Sequence, residues 1–224
     1  MTLPTNATLI PILLTSDQTH LTNFSGDKKL WPVYISIGNI TSDTRNKPSM
    51  HAWIPLALLP IPPKRIPNIA HHSIEQQEME SLQVTHDILS HILRPLADAQ
   101  SQNGYEMICA DEQIRLCFPR LCAWLGDHME LATIHSIASN RCPVCVAPTN
   151  DLGEIPDTPY EPRPTEHYIA AYNNSDIASL RFNGVKNILN ALWQVSEINP
   201  PSLVRADMLH TIHLGIMKHF MEWL

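Results

Sequence analysis

No apolar run in this sequence approaches the ~20 residues that a membrane-spanning helix needs. No membrane partner is expected. The opening MTLPTNATLI lacks the basic stretch of a secretory signal. Positive charge is scarce, with 15 Lys and Arg against 22 Asp and Glu and a formal net charge of -7. A polyanionic partner would have to be met by basic residues gathered locally, or by sequence outside this chain. Cysteines number five, an odd count, and two of them form a Cys-x-x-Cys. That favours a reducing compartment and a metal site over a disulfide framework. Glycine is sparse beside proline, seven against nineteen, which predicts long irregular connections. There is no internal repeat and no low-complexity tract.

What remains is one large domain, or one and a half small ones, in 224 residues. With 44% hydrophobic residues it can bury a core. Both ends read as cut, so the chain is expected to be a fragment of a longer polypeptide. The stretch 8–22, TLIPILLTSDQTHLT, organises the rest. Its bulky, partly β-branched run fits a buried strand, and Asp17 stands just past the strand's end. Loop residues 23–30 follow. Two more strands are predicted over 31–40, where Val33, Ile35 and Ile37 alternate with Tyr34, Ser36 and Gly38, and over 51–59. Short connections make the three an antiparallel meander. Residues 73–100 read as a helix, with Ser73 and Gln76 as a capping box, an apolar face of Leu82, Leu89, Leu93 and Leu96, and Pro95 set to kink or end it.

Short strands are predicted at 105–110 and 114–118, around the turn at Asp111-Glu112. A compact one at 121–125 ends on Gly126-Asp127, which repeats the opening pattern of a buried strand with an aspartate at its end. Helices follow over 128–138, 166–172, 177–194 and 203–224, the last carrying Asp207, His210 and His213. Three antiparallel strands, a helix and a further strand is the order of a ribonuclease-H-like α/β fold, in which the first and fourth strands lie side by side. Two carboxylates brought together there repel unless a divalent cation bridges them. Hard carboxylate oxygens suit Mg²⁺, and paired Mg²⁺ ions serve phosphoryl transfer. The alternative is two unrelated turn aspartates.

Cys142-Pro-Val-Cys145 has the spacing of half a zinc site. His210 and His213, at i, i+3, are the leading partners, with His135 and His167 as alternatives. Reduced, partly buried thiols are the plain reading. A thioredoxin-like role lacks a leading βαβ pattern. Cys109, Cys117 and Cys122 lie on apolar strands and suit core packing. Arg45, Lys47, Lys64 and Arg65 sit in loops, where solvated charge is the plain reading and contact with a phosphate backbone the alternative.

With those residues in view, the chain resembles the Plavaka-type transposases, fungal elements related to the CACTA (EnSpm) superfamily of cut-and-paste DNA transposases. The resemblance is carried by SDQTHLTNFSGDKKLWPVYISIGNI, RNKPSMHAWIPLALLP, ADEQIRLCFPRLCAWLGDHMEL, CPVC and RADMLHTIHLGIMKHFMEW. It implies a ribonuclease-H-like mixed sheet with flanking helices and a helical zinc-tied insertion, divided as a catalytic core over 1–140 and an insertion over 141–224. It implies a three-acid DDE/D site in which Asp17 matches the first acid and Asp127 the second, with Asp111 in reserve. The third would lie beyond Leu224, or be Asp207 or Glu222. It implies two Mg²⁺ ions on Asp17 and Asp127, a structural Zn²⁺ on Cys142, Cys145, His210 and His213, DNA as partner, a homo-oligomer and a nuclear location. The runner-up is a non-enzymatic, zinc-stabilised interaction module.

Overall fold

The first strand, β1 (Thr8–Ser16), is the one on which the sheet is assembled. Ile12, Leu14 and Ser16 alternate along it and are buried, the period of a half-covered strand. The computed structural model describes residues 3–21, 28–61, 73–102, 104–152, 154–195 and 199–223. Most of the first predicted loop, Lys64, Arg65 and Asn103 lie outside those residues. A short ribbon follows β1, with β2 (Thr19–His20) against β3 (Lys29–Leu30). Next, β4 (Pro32–Ile37) returns antiparallel to β1, with Leu14 opposite Ile35. A helical turn, α1 (Ser42–Arg45), leads to β5 (Ile54–Leu58), antiparallel to β4. The predicted meander is present.

The long helix α2 (Ile74–Ser101) opens on the predicted capping box. The Gln76 N–H donates to Ser73 Oγ at 3.2 Å, and the Ser73 N–H donates to Gln76 Oε1 at 2.8 Å. The helix runs on through Pro95, which was expected to kink or end it. Leu89 and Leu93, buried on the turns leading up to the proline, hold that part of the helix in the core beneath the sheet. Packing there outweighs the backbone bond that proline removes.

A hairpin follows, β6 (Tyr105–Ile108) with β7 (Ile114–Gly126). The sequence suggested two strands where β7 is one. It runs parallel to β1 from Thr8 opposite Cys117 to Thr15 opposite Leu125, with Cys122 bulged out between Leu121 and Ala123. After it, α3 (His128–Ile134) stops short of residue 138, because Ser136 takes the left-handed φ of 56°. The helix predicted at 166–172 is present as α4 (Thr165–Asn173). Only the start of the one predicted at 177–194 forms, as α5 (Ile177–Phe182), since Gly184 turns the chain at φ 66°. Beyond α6 (Pro200–Leu203) lies β8 (Val204–Ala206), parallel to β7, in a stretch that read as helix. A wide π-type helix over Leu209–Ile216 leads into α7 (Met217–Trp223).

The sheet order is β5-β4-β1-β7. The first half of β7 then pairs with β6 and its last residues pair with β8. The result is a mixed α/β fold, with a curled mixed sheet and flanking helices. Helices α2, α3 and α6 lie against β7. Leu14, Val33, Leu89, Trp124, Ile134 and Leu192 fill the main core, and Ala191, Val195 and Leu203 join it. A second cluster joins Ile137 to Tyr168, Ala171, Leu180 and Val185.

His86 ties these parts together. It is fully buried in α2, and its Nδ1 accepts the Ala191 N–H at 3.2 Å. Nε2 therefore carries the hydrogen and meets the Thr133 carbonyl at 3.1 Å. Burial, working against the Thr133 bond and Asp87, holds the ring to a pKa of about 4. Burial likewise holds His135 to about 3, with the charges of His86 and Arg163 adding. The unfolded chain takes up these protons near pH 6.5, so their stabilisation is full above that value and falls as the pH drops toward about 4. Urea unfolding at pH 7, 6 and 5 is expected to show a falling midpoint across this window, before most carboxylates titrate. His86→Gln should flatten part of that slope and lower the midpoint at pH 7.

Candidate active site at the ends of the parallel strands

Strands β1, β7 and β8 run side by side in one direction, and an aspartate follows each: Asp17, Asp127 and Asp207. The register at Thr15–Leu125, carried on by two residues, sets Asp17 opposite Asp127. The register at Gly126–Ala206, carried on by one, sets Asp207 on the other side of Asp127. The bulge at Cys122 decides this alignment. Ahead of it Ile12 faces Leu121, and that register unbroken would set Asp17 against Gly126.

Asp17 is exposed, while Asp127 and Asp207 are half-buried. Asp127 Oδ1 accepts the Glu130 N–H at 2.7 Å and so caps α3. The Asp207 N–H donates to the Gly126 carbonyl at 3.1 Å. Its carboxylate accepts the Leu209 N–H at 2.9 Å and is hydrogen-bonded to His210 Nδ1. Burial works to raise the pKa of Asp207, but the bonds from Leu209 and His210 outweigh it and hold the group below its ordinary value. His210 is held above its own, first by its bond to Asp207 and further by the charges of Asp127 and Asp17. One imidazole thus answers three carboxylates.

Beneath the acids lies a buried network. Trp124 Nε1 donates to Ser16 Oγ at 3.0 Å, and the Ser16 hydroxyl donates to Glu130 Oε1. Trp31 Nε1 donates to the same carboxylate oxygen at 2.9 Å. Burial pushes the Glu130 carboxyl up, with Asp127 and Asp17 adding, against the pull of the Ser16 and Trp31 donors. Four side chains from β1, β7, α3 and the entry to β4 are locked together one residue below Asp17. Sequence reasoning passed over Glu130, although the D-x-x-E spacing after Asp127 marks a helix start whose first turn is acidic. It passed over Ser16 as well, since a lone serine carries no signal.

The other expected ligands sit elsewhere. Asp111 is in the β6–β7 turn, at the far end of β7 from Asp127, and makes two bonds to Arg115 at 2.7 and 2.6 Å. Glu222 lies on α7 beside His219, at 3.5 Å. Cys142 Sγ accepts the Val144 N–H at 3.4 Å, and Cys145 bridges to Pro162. Burial pushes the Cys145 thiol up, with Cys142 adding. His210 is engaged by Asp207, His167 meets Ser179 Oγ at 3.0 Å, and His135 Nε2 is buried without a partner among the described residues. Among the described residues, no group of three or more His, Cys, Asp or Glu stands ready to hold a metal ion. This covers both the three aspartates and the cysteine–histidine set. No helix among the described residues is long and apolar enough to cross a membrane.

A sequence model of the Plavaka transposase family matches residues 1–224, and the chain belongs to that family. No curated protein and no solved structure matches it.

The Glu130 network generates an expectation about stability. Glu130→Gln keeps an acceptor for Ser16 and Trp31 and removes the buried charge. The raised folded-state pKa means that the wild-type contribution is full below about pH 4.5 and declines as the pH rises through the folded value. The Gln variant should therefore unfold at equal or higher urea than wild type at pH 7, with the gain vanishing near pH 4. Glu130→Ala leaves the Trp31 N–H unpaired and should cost about 1–3 kcal/mol. Equilibrium unfolding of both variants checks this.

Proposed function

We propose that, in this member of a transposase family, the end of the sheet bearing Asp17 and Asp127 is the catalytic centre for divalent-cation-dependent cleavage and transfer of DNA strands. The observation that carries this is the in-register placement of two aspartates at the ends of adjacent parallel strands, with a third aspartate on the next strand. The strand order supports a ribonuclease-H-like reading, with β5, β4 and β1 antiparallel, then β7 parallel to β1 and β8 parallel to β7. Of the residues weighed for the third acid, Asp207 has this geometric support and Glu222 does not.

The donor set fits Mg²⁺. Carboxylate oxygens are its preferred ligands, and acids gathered at one edge need a compensating cation. Paired Mg²⁺ ions, when bound, would activate the attacking oxygen and stabilise the leaving one. Asp17 and Asp127 would hold them. Asp207 would join by releasing His210 and turning toward Asp127. The Ser16–Glu130–Trp31 network would keep the two strand ends from separating. For zinc the fit is partial. Cys142 and Cys145 remain proposed thiolate donors, but His210 is taken by Asp207, and no step depends on that metal. Action on chromosomal DNA would place the protein in the nucleus, and joining two DNA ends would call for more than one copy.

The second reading is a non-enzymatic interaction module. Its support is the closed Asp207–His210 pair, which already offsets part of the charge at the acidic edge. Titration with Mn²⁺ by calorimetry, alongside nicking of supercoiled plasmid, separates the two. The catalytic reading predicts that Asp17→Asn and Asp127→Asn each weaken Mn²⁺ binding at least about tenfold, a loss of about 1.4 kcal/mol, and abolish nicking. Mn²⁺ affinity indifferent to both substitutions would leave the interaction module standing.

A further inference from the structure

The chain has few positive charges, and three of them line one cavity. A pocket of about 600 Å³ is walled by Arg141, Arg163 and Arg181 together with Val146, Pro148, Phe182 and Asn183, and none of these lining residues is acidic. In a chain with a net charge of -7, such a gathering is the local basic surface that a polyanion would require.

Arg163 gives the pocket its fixed charge. It is 5% exposed. Its Nε donates to the Cys142 carbonyl at 2.6 Å, and one terminal nitrogen meets the Tyr168 hydroxyl at 3.2 Å and the Asn183 carbonyl at 2.9 Å. All three partners are neutral, and Arg163 makes no ion pair among the described residues. A buried cation without a counter-charge is costly, and an anion entering the pocket would supply one. Arg141 is half-buried, and its stem lies across Gly184, where an added Cβ would fall 2.6 Å from Arg141 Cγ. Arg181 is exposed and pairs with Glu75 at 2.8 Å, an exposed ion pair of the weak kind that a phosphate can displace. Phe182 stands beside them, 82% exposed, its ring face open to a sugar or base.

We infer that this pocket, whose lining includes none of the strand-end aspartates, is a docking site for the phosphate backbone of DNA, in which Arg163 is the fixed anchor, Arg141 and Arg181 are the adjustable contacts and Phe182 is a stacking platform. The partner class rests on the transposase family, but the site does not depend on cations at Asp17 and Asp127. Phosphate contacts of this kind give sequence-independent affinity that falls steeply with salt.

The test is fluorescence anisotropy of the whole chain with a labelled 20-base-pair duplex in EDTA, at several salt concentrations. Without divalent metal, failure of the catalytic reading leaves this result untouched. Arg141→Ala with Arg181→Ala is expected to weaken binding about 10- to 100-fold and to flatten the salt dependence by about two phosphate contacts. Arg94→Ala, an exposed arginine on α2, should change affinity less than threefold. Glu75→Gln, which frees Arg181, should tighten binding, an outcome that general destabilisation cannot produce. The inference is overturned if wild type fails to bind the duplex at low salt, or if the double variant binds with wild-type affinity and salt dependence. An RNA duplex bound more tightly than DNA would overturn the choice of partner.

Discussion

Parallel pairing between β1 and β7 is the constraint from which the rest of the acidic edge follows. Strands that point the same way bring their carboxyl ends to the same edge, so residues 110 positions apart in the chain become neighbours. The pairing alone does not align Asp17 with Asp127. The extra residue at Cys122 does, by advancing β7 one position against β1. A second parallel strand, β8, then brings Asp207 to the same edge. Each step is set by backbone hydrogen bonds, so the acids are positioned by the stiffest part of the fold rather than by loops.

Gathering negative charge at one edge works against folding, and two features oppose it. Ser16, Trp31 and Trp124 tie Glu130 into the core with directed bonds, which fixes the strand ends beneath the acids. His210, held protonated to higher pH by Asp207, offsets charge above them. The proposed catalytic state exchanges the second feature for divalent cations and keeps the first. The arginine pocket has the opposite imbalance, a buried guanidinium that no acid among the described residues pairs with. Both sites therefore carry charge that a partner would neutralise.

Much of the sheet was legible in the sequence. The run from Leu9 to Leu14 and the alternation from Val33 to Ile37 are local patterns, and Ser73 with Gln76 is a local cap. Asp17 and Asp127 stood out because each ends an apolar run. What escaped notice was non-local. Strand β8 has three residues, and only its pairing with Trp124, Leu125 and Gly126 makes it a strand. The bulge at Cys122 exists only relative to β1. Glu130 is buried because Ser16 and Trp31 reach it from distant segments. The spacing of His210 and His213 suited one face of an α-helix, but Leu209–Ile216 is a wider π-type helix, in which that spacing no longer aligns side chains.

The most direct test of the acidic centre is a crystal structure of the chain grown with Mn²⁺, read by its anomalous scattering. The account predicts a peak between the Asp17 and Asp127 carboxylates, within ordinary ligand distance of an oxygen from each, with His210 turned away from Asp207. Density with no peak at that edge, or with Mn²⁺ bound only elsewhere while Asp207 and His210 stay paired, would contradict it.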